Sequence, residues 1–400
     1  MRVVLHIDVN NAFLSWTALE LLENGSKYDI RNSFAVIGGD EKSRHGIVLA
    51  KSMKAKKLGI KTADTISSAR KKCNALSVYP PDYKYYQKKS TELFQLLSEY
   101  TPDIEIASID ECYLEFTNIA WVYKDPLEFS KMIQKRILDE LGFTVNIGIA
   151  NNKLCAKMAS DFEKPYKIHT LYDNEVQTKM WPLPIGDLFG IGKKSVIKLN
   201  KLGIKTIGDL AHFDSKKLYP YFKNQSTRII EMAHGIDNSI VNSGDIIPKG
   251  IGNEMTLLHD VTSIVEVKKY LLELSELVGR RLRNQKKYAK VVCVVIKDSF
   301  FKRKSHQRKL NNPTSSSKEI YENAVEIFNE FWDLKPIRLI GIRLDNLVDI
   351  NYHQVSIFDT EKNEVSEKLD YVLDEINKKY GKNMIKSAGL KETKKRGLKQ

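Results

Sequence analysis

The sequence has few cysteines and no apolar run long enough to cross a bilayer. The four cysteines lie far apart in the chain, at Cys73, Cys112, Cys155 and Cys293. This spacing argues against a disulfide framework or a zinc site and predicts reduced, partly buried thiols in a cytosolic protein. The start of the chain also lacks a signal-peptide pattern, because Asp8, Asn10 and Asn11 interrupt its apolar run. We therefore expect a cytoplasmic protein that is not inserted in a membrane.

Acidic residues are outnumbered by basic ones, with 50 Asp and Glu against 64 Lys and Arg, so the net charge is +14. This surplus favours a polyanionic partner, and without a membrane segment nucleic acid is a stronger candidate than an anionic bilayer. The alternative is that a chain rich in Lys, Asn and Ile reflects the codon usage of its host. With 400 residues, 42% of them hydrophobic, the chain is large enough for two to four domains with real cores.

Hydrophobic periodicity divides the chain into regions of different texture. Up to about residue 172, strands and helices interleave with strand-turn-strand pieces, which predicts an α+β domain with a mixed sheet. Residues 185–235 show short helices with glycine turns, which is typical of a small all-helical module. A polar linker is expected at 236–249 and a second, smaller α+β domain at 251–347, followed by an amphipathic helix and a Lys-rich end.

Two acidic positions stand at the ends of apolar runs. Asp110 and Glu111 lie in the stretch Ser108–Leu114, which we interpret as one strand, and Asp8 lies near the end of the run Val3–Val9. If these strands pair, the three carboxylates meet at one edge of a sheet. Carboxylate oxygens suit hard cations such as Mg²⁺ or Mn²⁺. The alternative is that the adjacent acids form salt bridges or simply end the strand.

At these positions the chain resembles a known family. The runs Ile7–Phe13 and Ser108–Leu114 resemble the two catalytic motifs of Y-family translesion DNA polymerases, with the bacterial DNA polymerase IV and UmuC-like members as the closest subgroup. The resemblance implies that Asp8, Asp110 and Glu111 hold two Mg²⁺ ions, with Mn²⁺ possible, and that the Val9 carbonyl is an extra ligand. Many members have a further carboxylate where this chain has Asn10, which we do not assign as a ligand.

The resemblance also assigns residues to the incoming deoxynucleoside triphosphate. Phe13 corresponds to the steric gate, an aromatic ring that collides with a ribose 2′-hydroxyl; from its spacing alone it would be a helix core residue. Ser52–Lys56 resembles a fingers motif that usually reads Ser-Tyr-Glu-Ala-Arg, and the positions expected at the triphosphate are Ser52, Lys56 and Lys164. Lys56 keeps the charge of the usual Arg without its bidentate fork, and Met53 replaces the usual Tyr, so no contact is assigned to Met53.

Two basic regions resemble DNA-binding parts of the family. Leu188–Lys194 and the following Leu202–Leu210 resemble a helix-hairpin-helix, in which a Gly-x-Gly turn before a helix presents backbone N–H groups to phosphate. The residues expected to contact DNA there are Gly190, Gly192 and Lys193. The second α+β domain carries basic clusters suited to the phosphate backbone, from which we select Arg280, Arg283, Lys302 and Arg303. The alternative for either cluster is a solvated surface.

A short peptide follows the last domain. Gln354–Asp359 resembles the segment by which bacterial polymerases bind the sliding clamp, with Gln354 setting the register and Ile357 and Phe358 filling an apolar pocket.

Taken together, the resemblance predicts an α+β multidomain polymerase of the right-hand type, with a mixed-sheet palm, small fingers, an all-helical thumb (helix-hairpin-helix) and an α+β little finger. The expected boundaries are palm 1–11 and 78–172, fingers 12–77, thumb 173–237, linker 238–248, little finger 249–348 and C-terminal tail 349–400. The expected partners are primer-template DNA, dNTP and the clamp, and the protein is expected to be a monomer.

The expected function is low-fidelity, template-directed DNA synthesis during damage tolerance and repair. The first alternative is a UmuC-like DNA-binding subunit that needs partner proteins for polymerase activity. A helix-hairpin-helix glycosylase or nuclease would need a catalytic Lys or Asp directly after the hairpin, and Asp209 and Asp214 are not in such a context.

Overall fold

The computed structural model describes residues 1–40, 46–244, 248–349 and 362–381. The described residues form two compact units, one up to residue 244 and one from residue 248 onward. None of the helices in these ranges combines the length and the apolar character needed to cross a membrane.

The first unit contains eight strands and eleven α-helices among its described residues. The strands are β1 (Val4–Val9), β2 (Ala35–Gly38), β3 (Val48–Lys51), β4 (Ser77–Tyr79), β5 (Ile104–Ile106), β6 (Glu111–Glu115), β7 (Val145–Ala150) and β8 (Ile168–Leu171). The helices are α1 (Ala12–Glu23), α2 (Met53–Lys57), α3 (Ile66–Lys72), α4 (Tyr83–Ser98), α5 (Ala120–Tyr123), α6 (Pro126–Leu141), α7 (Lys153–Asp161), α8 (Lys193–Lys201), α9 (Ile207–Ala211), α10 (Ser215–Phe222) and α11 (Ser226–Ala233).

The central sheet of this unit has the strand order β5-β6-β1-β7-β8. β1 pairs antiparallel with both β6 and β7, while β7 pairs parallel with β8. The sheet is therefore mixed, which confirms the prediction from the interleaved pattern. Sequential elements α8 to α11 form the expected all-helical module, whose apolar side chains share one core with α7.

β1 lies at the centre of this sheet and is buried along its whole length. Because successive side chains of a strand point to opposite faces, Leu5, Ile7 and Val9 pack into the core beneath α1, α4 and α6. His6 and Asp8 point to the other face, on which α7 packs. The apolar run of β1 thus fixes the strand and directs its two polar side chains to a common face.

A small second sheet, of order β3-β2-β4, belongs to the region expected to form the fingers. One of its faces packs on α2 and α3 through Val36 and Val48, and the other packs on α1 through Ile37 and Ala50. This sheet extends to Tyr79, two residues beyond the predicted end of the fingers at residue 77.

The second unit is an α+β fold with a four-stranded antiparallel sheet of order β11-β10-β12-β9. Its strands are β9 (Gly250–Val261), β10 (Lys287–Asp298), β11 (Arg303–Thr314) and β12 (Ile337–Asp349), and its helices are α12 (Ile264–Asn284), α13 (Ser317–Phe331) and α14 (Lys362–Tyr380). α12 and α13 cover one face of the sheet through the side chains of Val292, Val294 and Ile296. The expected second α+β domain is confirmed, and its strand β11, which begins at the basic residue Arg303, is one that the sequence pattern did not predict.

Candidate active site and nucleic-acid interface

The two acidic stretches meet in the sheet as expected. β1 and β6 are paired so that Asp8 lies opposite Glu111, and the Val9 N–H donates to the Asp110 carbonyl at 3.0 Å. Three carboxylates are therefore carried by adjacent strand ends at one edge of the sheet. We call the group Asp8, Asp110 and Glu111 the carboxylate edge.

The local structure at Asp110 differs from the sequence interpretation. Residues 107–110 form the turn between β5 and β6, and only Glu111 and the residues after it belong to the strand. The prediction of one continuous strand over Ser108–Leu114 was wrong, because β5 folds back as a hairpin and its turn takes up Ser108 and Asp110. The Ser108 hydroxyl donates to Asp110 Oδ1 at 2.6 Å and so orients the carboxylate from within the turn.

Asp110 is the least neutralised member of the carboxylate edge. Its side chain is half-buried, and among the described residues it has no salt-bridge partner. Burial and the nearby negative charges of Asp8 and Glu111 raise the pKa of Asp110, although the bond from Ser108 works in the opposite direction. A carboxylate in this situation favours a bound cation.

Glu111, in contrast, accepts a hydrogen bond from Lys157 and is also in contact with the His6 ring. His6 Nε2 lies 3.1 Å and Lys157 Nζ lies 2.6 Å from Glu111 Oε2. The contacts with His6 and Lys157 outweigh burial and lower the pKa of Glu111 to about 2. Lys157 also lies 3.4 Å from Asp161 on the next turn of α7. The carboxylate of Glu111 is therefore ionised and fixed in direction.

Asp8 is paired with Lys164, the residue that the family resemblance assigns to the triphosphate. Lys164 Nζ forms an ion pair with Asp8 Oδ2 and lies 2.7 Å from Asp161 Oδ1. Burial would lower the pKa of Lys164, but Asp8 and Asp161 together raise it above its ordinary value. The ammonium group of Lys164 thus lies directly at the carboxylate edge.

The donor set of the carboxylate edge fits a divalent cation in its chemistry. Carboxylate and carbonyl oxygens are the ligands of Mg²⁺ and Mn²⁺, and Asp110 has an excess of negative charge around it. Beside Asp8, the buried amide of Asn10 has no hydrogen-bond partner among the described residues for either of its polar atoms. Among the residues that the structure describes, no group of three or more His, Cys, Asp or Glu side chains is arranged to hold a metal ion.

Phe13 is the second residue of α1 and follows Asp8 by five positions along the chain. Its half-buried ring stacks on Tyr86 at 4.7 Å and meets Tyr83 edge-on at 5.9 Å. The preceding Asn11 caps the start of α1 in the left-handed conformation and donates to the Lys51 carbonyl at 2.8 Å. The ring of Phe13 is therefore supported from behind by two tyrosines, while the cap ties the start of α1 to the end of β3.

The two fingers residues assigned to the triphosphate occupy different environments. Lys56 is exposed on α2 and carries its charge into solvent. Ser52 is fully buried, and its hydroxyl oxygen accepts bonds from the N–H groups of Ala55 at 3.1 Å and Ala35 at 3.3 Å. We therefore revise the interpretation of Ser52: it caps the helix that carries Lys56 and does not present its side chain to a ligand.

The hairpin before α8 has the exposed form expected of a phosphate site. Gly190 adopts φ = +85°, Gly192 is the N-cap residue of α8, and both are exposed on either side of Ile191. Gly192 has no side chain to accept bonds from the first turn of the helix, and Lys193 begins that turn with an exposed ammonium group. The turn can therefore offer backbone N–H groups and one positive charge to an anion.

The four basic residues selected in the second unit do not share one environment. Lys302 and Arg303 are exposed, with Arg303 paired to Glu254 through Nη1 at 2.9 Å, and Arg280 is half-buried on α12. The side chain of Arg283 is only 3% exposed. The assignment of Arg283 to DNA was wrong, because the side chain of Arg283 points from α12 into the interior of the second unit and not into solvent.

Arg283 is held in a network inside the second unit. Its guanidinium donates to the Ser315 carbonyl at 2.7 Å and to the Ser317 hydroxyl at 3.1 Å, and it pairs with Asp370 at 3.1 Å and Asp374 at 2.7 Å on α14. Asp370 in turn accepts a bond from the Ser317 N–H at 2.7 Å. Arg283 therefore fastens α14 to α12 and to the start of α13.

The sequence interpretation missed His6 and Ser160 altogether. His6 is fully buried, and its Nδ1 lies 2.8 Å from the hydroxyl of the equally buried Ser160 on α7. The only sequence signal was a histidine two residues before Asp8 in an otherwise apolar strand, which places both on one face. The clamp residues Gln354, Ile357 and Phe358 lie outside the described residues.

Comparison with known proteins shows which family the chain resembles. The model of the impB/mucB/samB family matches residues 7–161, that of its C-terminal domain matches 248–357, and that of the IMS family HHH motif matches 173–204. In solved structures, the fold is similar to a Y-family DNA polymerase chimera, with a TM-score of 0.77 over 87% of this chain and 99% of that chain at 23% identity.

Full-length relatives narrow the class further. The chain is 48% identical to the DNA polymerase IV of Clostridium acetobutylicum over 98% of both chains. It is 37% identical to that of Clostridium kluyveri, over 97% of this chain and 98% of the relative. It is 34% identical to DNA polymerase IV 1 of Bacillus subtilis, over 98% of this chain and 94% of the relative. The chain belongs to the Y-family of DNA polymerases, within the group of DNA polymerase IV.

Proposed function

We propose that this chain catalyses template-directed, low-fidelity DNA synthesis of the translesion type, transferring a nucleotide from dNTP to the 3′-hydroxyl of a primer. The observation that carries the proposal is the carboxylate edge: Asp8 on β1 is paired with Glu111 on β6, Asp110 directly precedes Glu111, and Asp110 has no salt-bridge partner among the described residues. These features belong to a chain whose relatives are named DNA polymerase IV over their full length.

The carboxylate edge and the Val9 carbonyl would hold two Mg²⁺ ions, with Mn²⁺ as an alternative. Bound there, such ions would lower the pKa of the attacking hydroxyl and would stabilise the charge on the leaving pyrophosphate. The residues of the chain supply the orientation. Ser108 holds Asp110 in the β5–β6 turn, and Lys157 and His6 hold Glu111.

Lys164 and Lys56 would bind the triphosphate. Lys164 is already at the carboxylate edge through Asp8, so a triphosphate that approaches this edge meets a positively charged ammonium group. Lys56 would add a second charge from α2, and the buried Ser52 holds the start of that helix. Phe13, supported by Tyr83 and Tyr86, would place its ring under the sugar and select against a 2′-hydroxyl.

Primer-template DNA would bind through contacts that do not read sequence. The Gly190–Gly192 turn with Lys193 offers N–H groups and charge to phosphate, while Lys302 and half-buried Arg280 offer charge in the second unit. The small fingers region, with its own modest core, is expected to enclose the new base pair loosely, which favours damaged templates. We further propose a cytoplasmic monomer that binds the sliding clamp through Gln354, Ile357 and Phe358.

Primer extension on an undamaged template with Mg²⁺ and dNTPs tests the proposal. The wild type should extend the primer, Asp110→Ala should not, and Phe13→Ala should extend and also incorporate ribonucleotides. If the purified wild type binds primer-template but extends it with neither Mg²⁺ nor Mn²⁺, the standalone polymerase is refuted. In that case the UmuC-like subunit that needs partner proteins is the better account.

A further inference from the structure

We propose that His6 is a positioning residue for the reaction: its imidazole, held by Ser160, fixes the Glu111 carboxylate so that one of its oxygens faces the cation site. The inference rests on the proposed function, because it assigns Glu111 to a cation. It concerns a residue that touches neither the substrate nor the reacting atoms, and it places the buried pair Ser160 and His6 behind Glu111.

The first argument is the position of the ring between two partners. His6 Nδ1 lies 2.8 Å from Ser160 Oγ, and His6 Nε2 lies 3.1 Å from Glu111 Oε2. Both His6 and Ser160 are fully buried, and the ring also packs on Tyr113 with centroids 4.7 Å apart. The ring therefore lies between α7 and the carboxylate edge and is in contact with both.

The second argument concerns which oxygen of Glu111 is used. His6 Nε2 and Lys157 Nζ both contact Oε2, and among the described residues no donor contacts Oε1. The Lys157 hydrogen bond and the His6 contact on a single oxygen restrict rotation of the carboxylate and leave the other oxygen available. This is the arrangement in which outer partners orient a metal-binding carboxylate.

The third argument is the backbone that brings Ser160 to His6. Gly148 on β7 is the register partner of His6 on β1. A Cβ at Gly148 would lie 2.0 Å from the Ala156 carbonyl oxygen and 2.5 Å from the Ser160 backbone nitrogen. Only glycine therefore lets α7 approach the sheet closely enough at this point for Ser160 to meet the His6 ring, and the same approach places Lys157 at Glu111.

Two substitutions of His6 separate its two contacts. The amide nitrogen of Gln reaches about as far as imidazole Nε2, so His6→Gln retains a polar nitrogen in contact with Glu111. The shorter amide of Asn corresponds to Nδ1, so His6→Asn retains only the Ser160 side. His169→Gln is the matched control, because this histidine lies in the same sheet on β8 and its ring contacts Phe162 rather than a carboxylate.

The readouts are Mn²⁺ affinity, measured by electron paramagnetic resonance on the enzyme with primer-template, and kcat and KM for dNTP. We expect His6→Asn to lose about 10–100-fold in Mn²⁺ affinity and in kcat, with KM for dNTP changed by less than about twofold. His6→Gln should lose several-fold less than His6→Asn, and His169→Gln should match the wild type. Equal losses in the two His6 variants, or unchanged Mn²⁺ affinity in His6→Asn, would overturn the proposal.

A second comparison guards against misfolding of the Asn variant. Ser160→Ala should weaken Mn²⁺ binding in the wild-type background, but should add little in the His6→Gln background, where no group reaches Ser160. Fully additive losses would overturn the proposal even if His6→Asn fails to fold. If Mn²⁺ binding depends on His6 as described while the wild type extends no primer, the positioning role stands and the proposed polymerase function fails.

Discussion

The carboxylate edge of the first unit and the Arg283 network of the second unit both take charged side chains out of water, but they differ in how completely the charges are balanced. Arg283 has two carboxylates, a carbonyl and a hydroxyl around it. At the carboxylate edge, Asp110 has only a serine hydroxyl and two like charges nearby. Removing a member of the balanced network leaves buried charges without a partner, whereas the unbalanced group favours a bound cation.

The largest expected effect comes from removing the unbalanced charge. Asp110→Asn should lower primer extension on the order of a thousandfold or more, since it removes a cation-binding carboxylate. It should not lower the free energy of unfolding, because it also removes a half-buried charge that Asp8 and Glu111 oppose. Parallel extension assays and urea denaturation measure the two quantities. A strongly destabilised Asp110→Asn would show that Asp110 is structural instead.

The balanced network predicts the opposite pattern. Arg283→Met leaves Asp370 and Asp374 without their partner, so we expect the free energy of unfolding of the second unit to fall by about 3–5 kcal/mol. Extension per folded molecule should stay close to that of the wild type at low temperature. Arg281→Met, two residues away and exposed, is the control and should change stability by less than about 0.5 kcal/mol. Loss of DNA binding without loss of stability in Arg283→Met would contradict this interpretation.

The lysines of the carboxylate edge sharpen the comparison, because they pair with carboxylates and are also expected to serve the substrate. Lys164→Met should raise KM for dNTP by about 10–100-fold, the cost of one charge-assisted hydrogen bond to phosphate. Lys167→Met is a suitable control, since Lys167 is exposed and lies 3.8 Å from Glu163. Steady-state kinetics with both variants distinguishes the roles, and an unchanged KM in Lys164→Met would remove Lys164 from the triphosphate site.

The smallest effects are expected on the surface of the second unit, where Arg303 pairs with Glu254 and Lys302 and Arg280 have no salt-bridge partner in the described part of the chain. Lys302→Ala and Arg280→Ala should each reduce the slope of log binding constant against log salt concentration by about 1. Arg303→Ala should reduce it less, because Glu254 already neutralises part of its charge. Fluorescence anisotropy with labelled primer-template at several salt concentrations measures the slopes. Equal slopes for the wild type and the three variants would exclude these residues from the DNA interface.

Much of this secondary structure can be predicted from local patterns in the sequence. The β-branched apolar run of β1 predicts its strand, and the change from interleaved strands to short helices predicts the module of α8 to α11, because these patterns depend on neighbours along the chain. β11 escaped prediction, since it is an edge strand with polar side chains such as Arg303, Ser305 and His306 on both faces. Its strand conformation is imposed by pairing with β10.

The roles of individual side chains likewise divide into those that the sequence determined and those that only the tertiary structure decided. The sequence by itself determined that acidic residues follow two apolar runs, that a Gly-x-Gly turn precedes a helix and that the chain is basic, because these are properties of composition and spacing. Only the tertiary structure decided that Ser52 and Arg283 are buried and that the carboxylate edge leaves Asp110 unbalanced. It alone brought Ser160 to His6 from 154 positions along the chain, since the approach of α7 over Gly148 depends on contacts between distant segments.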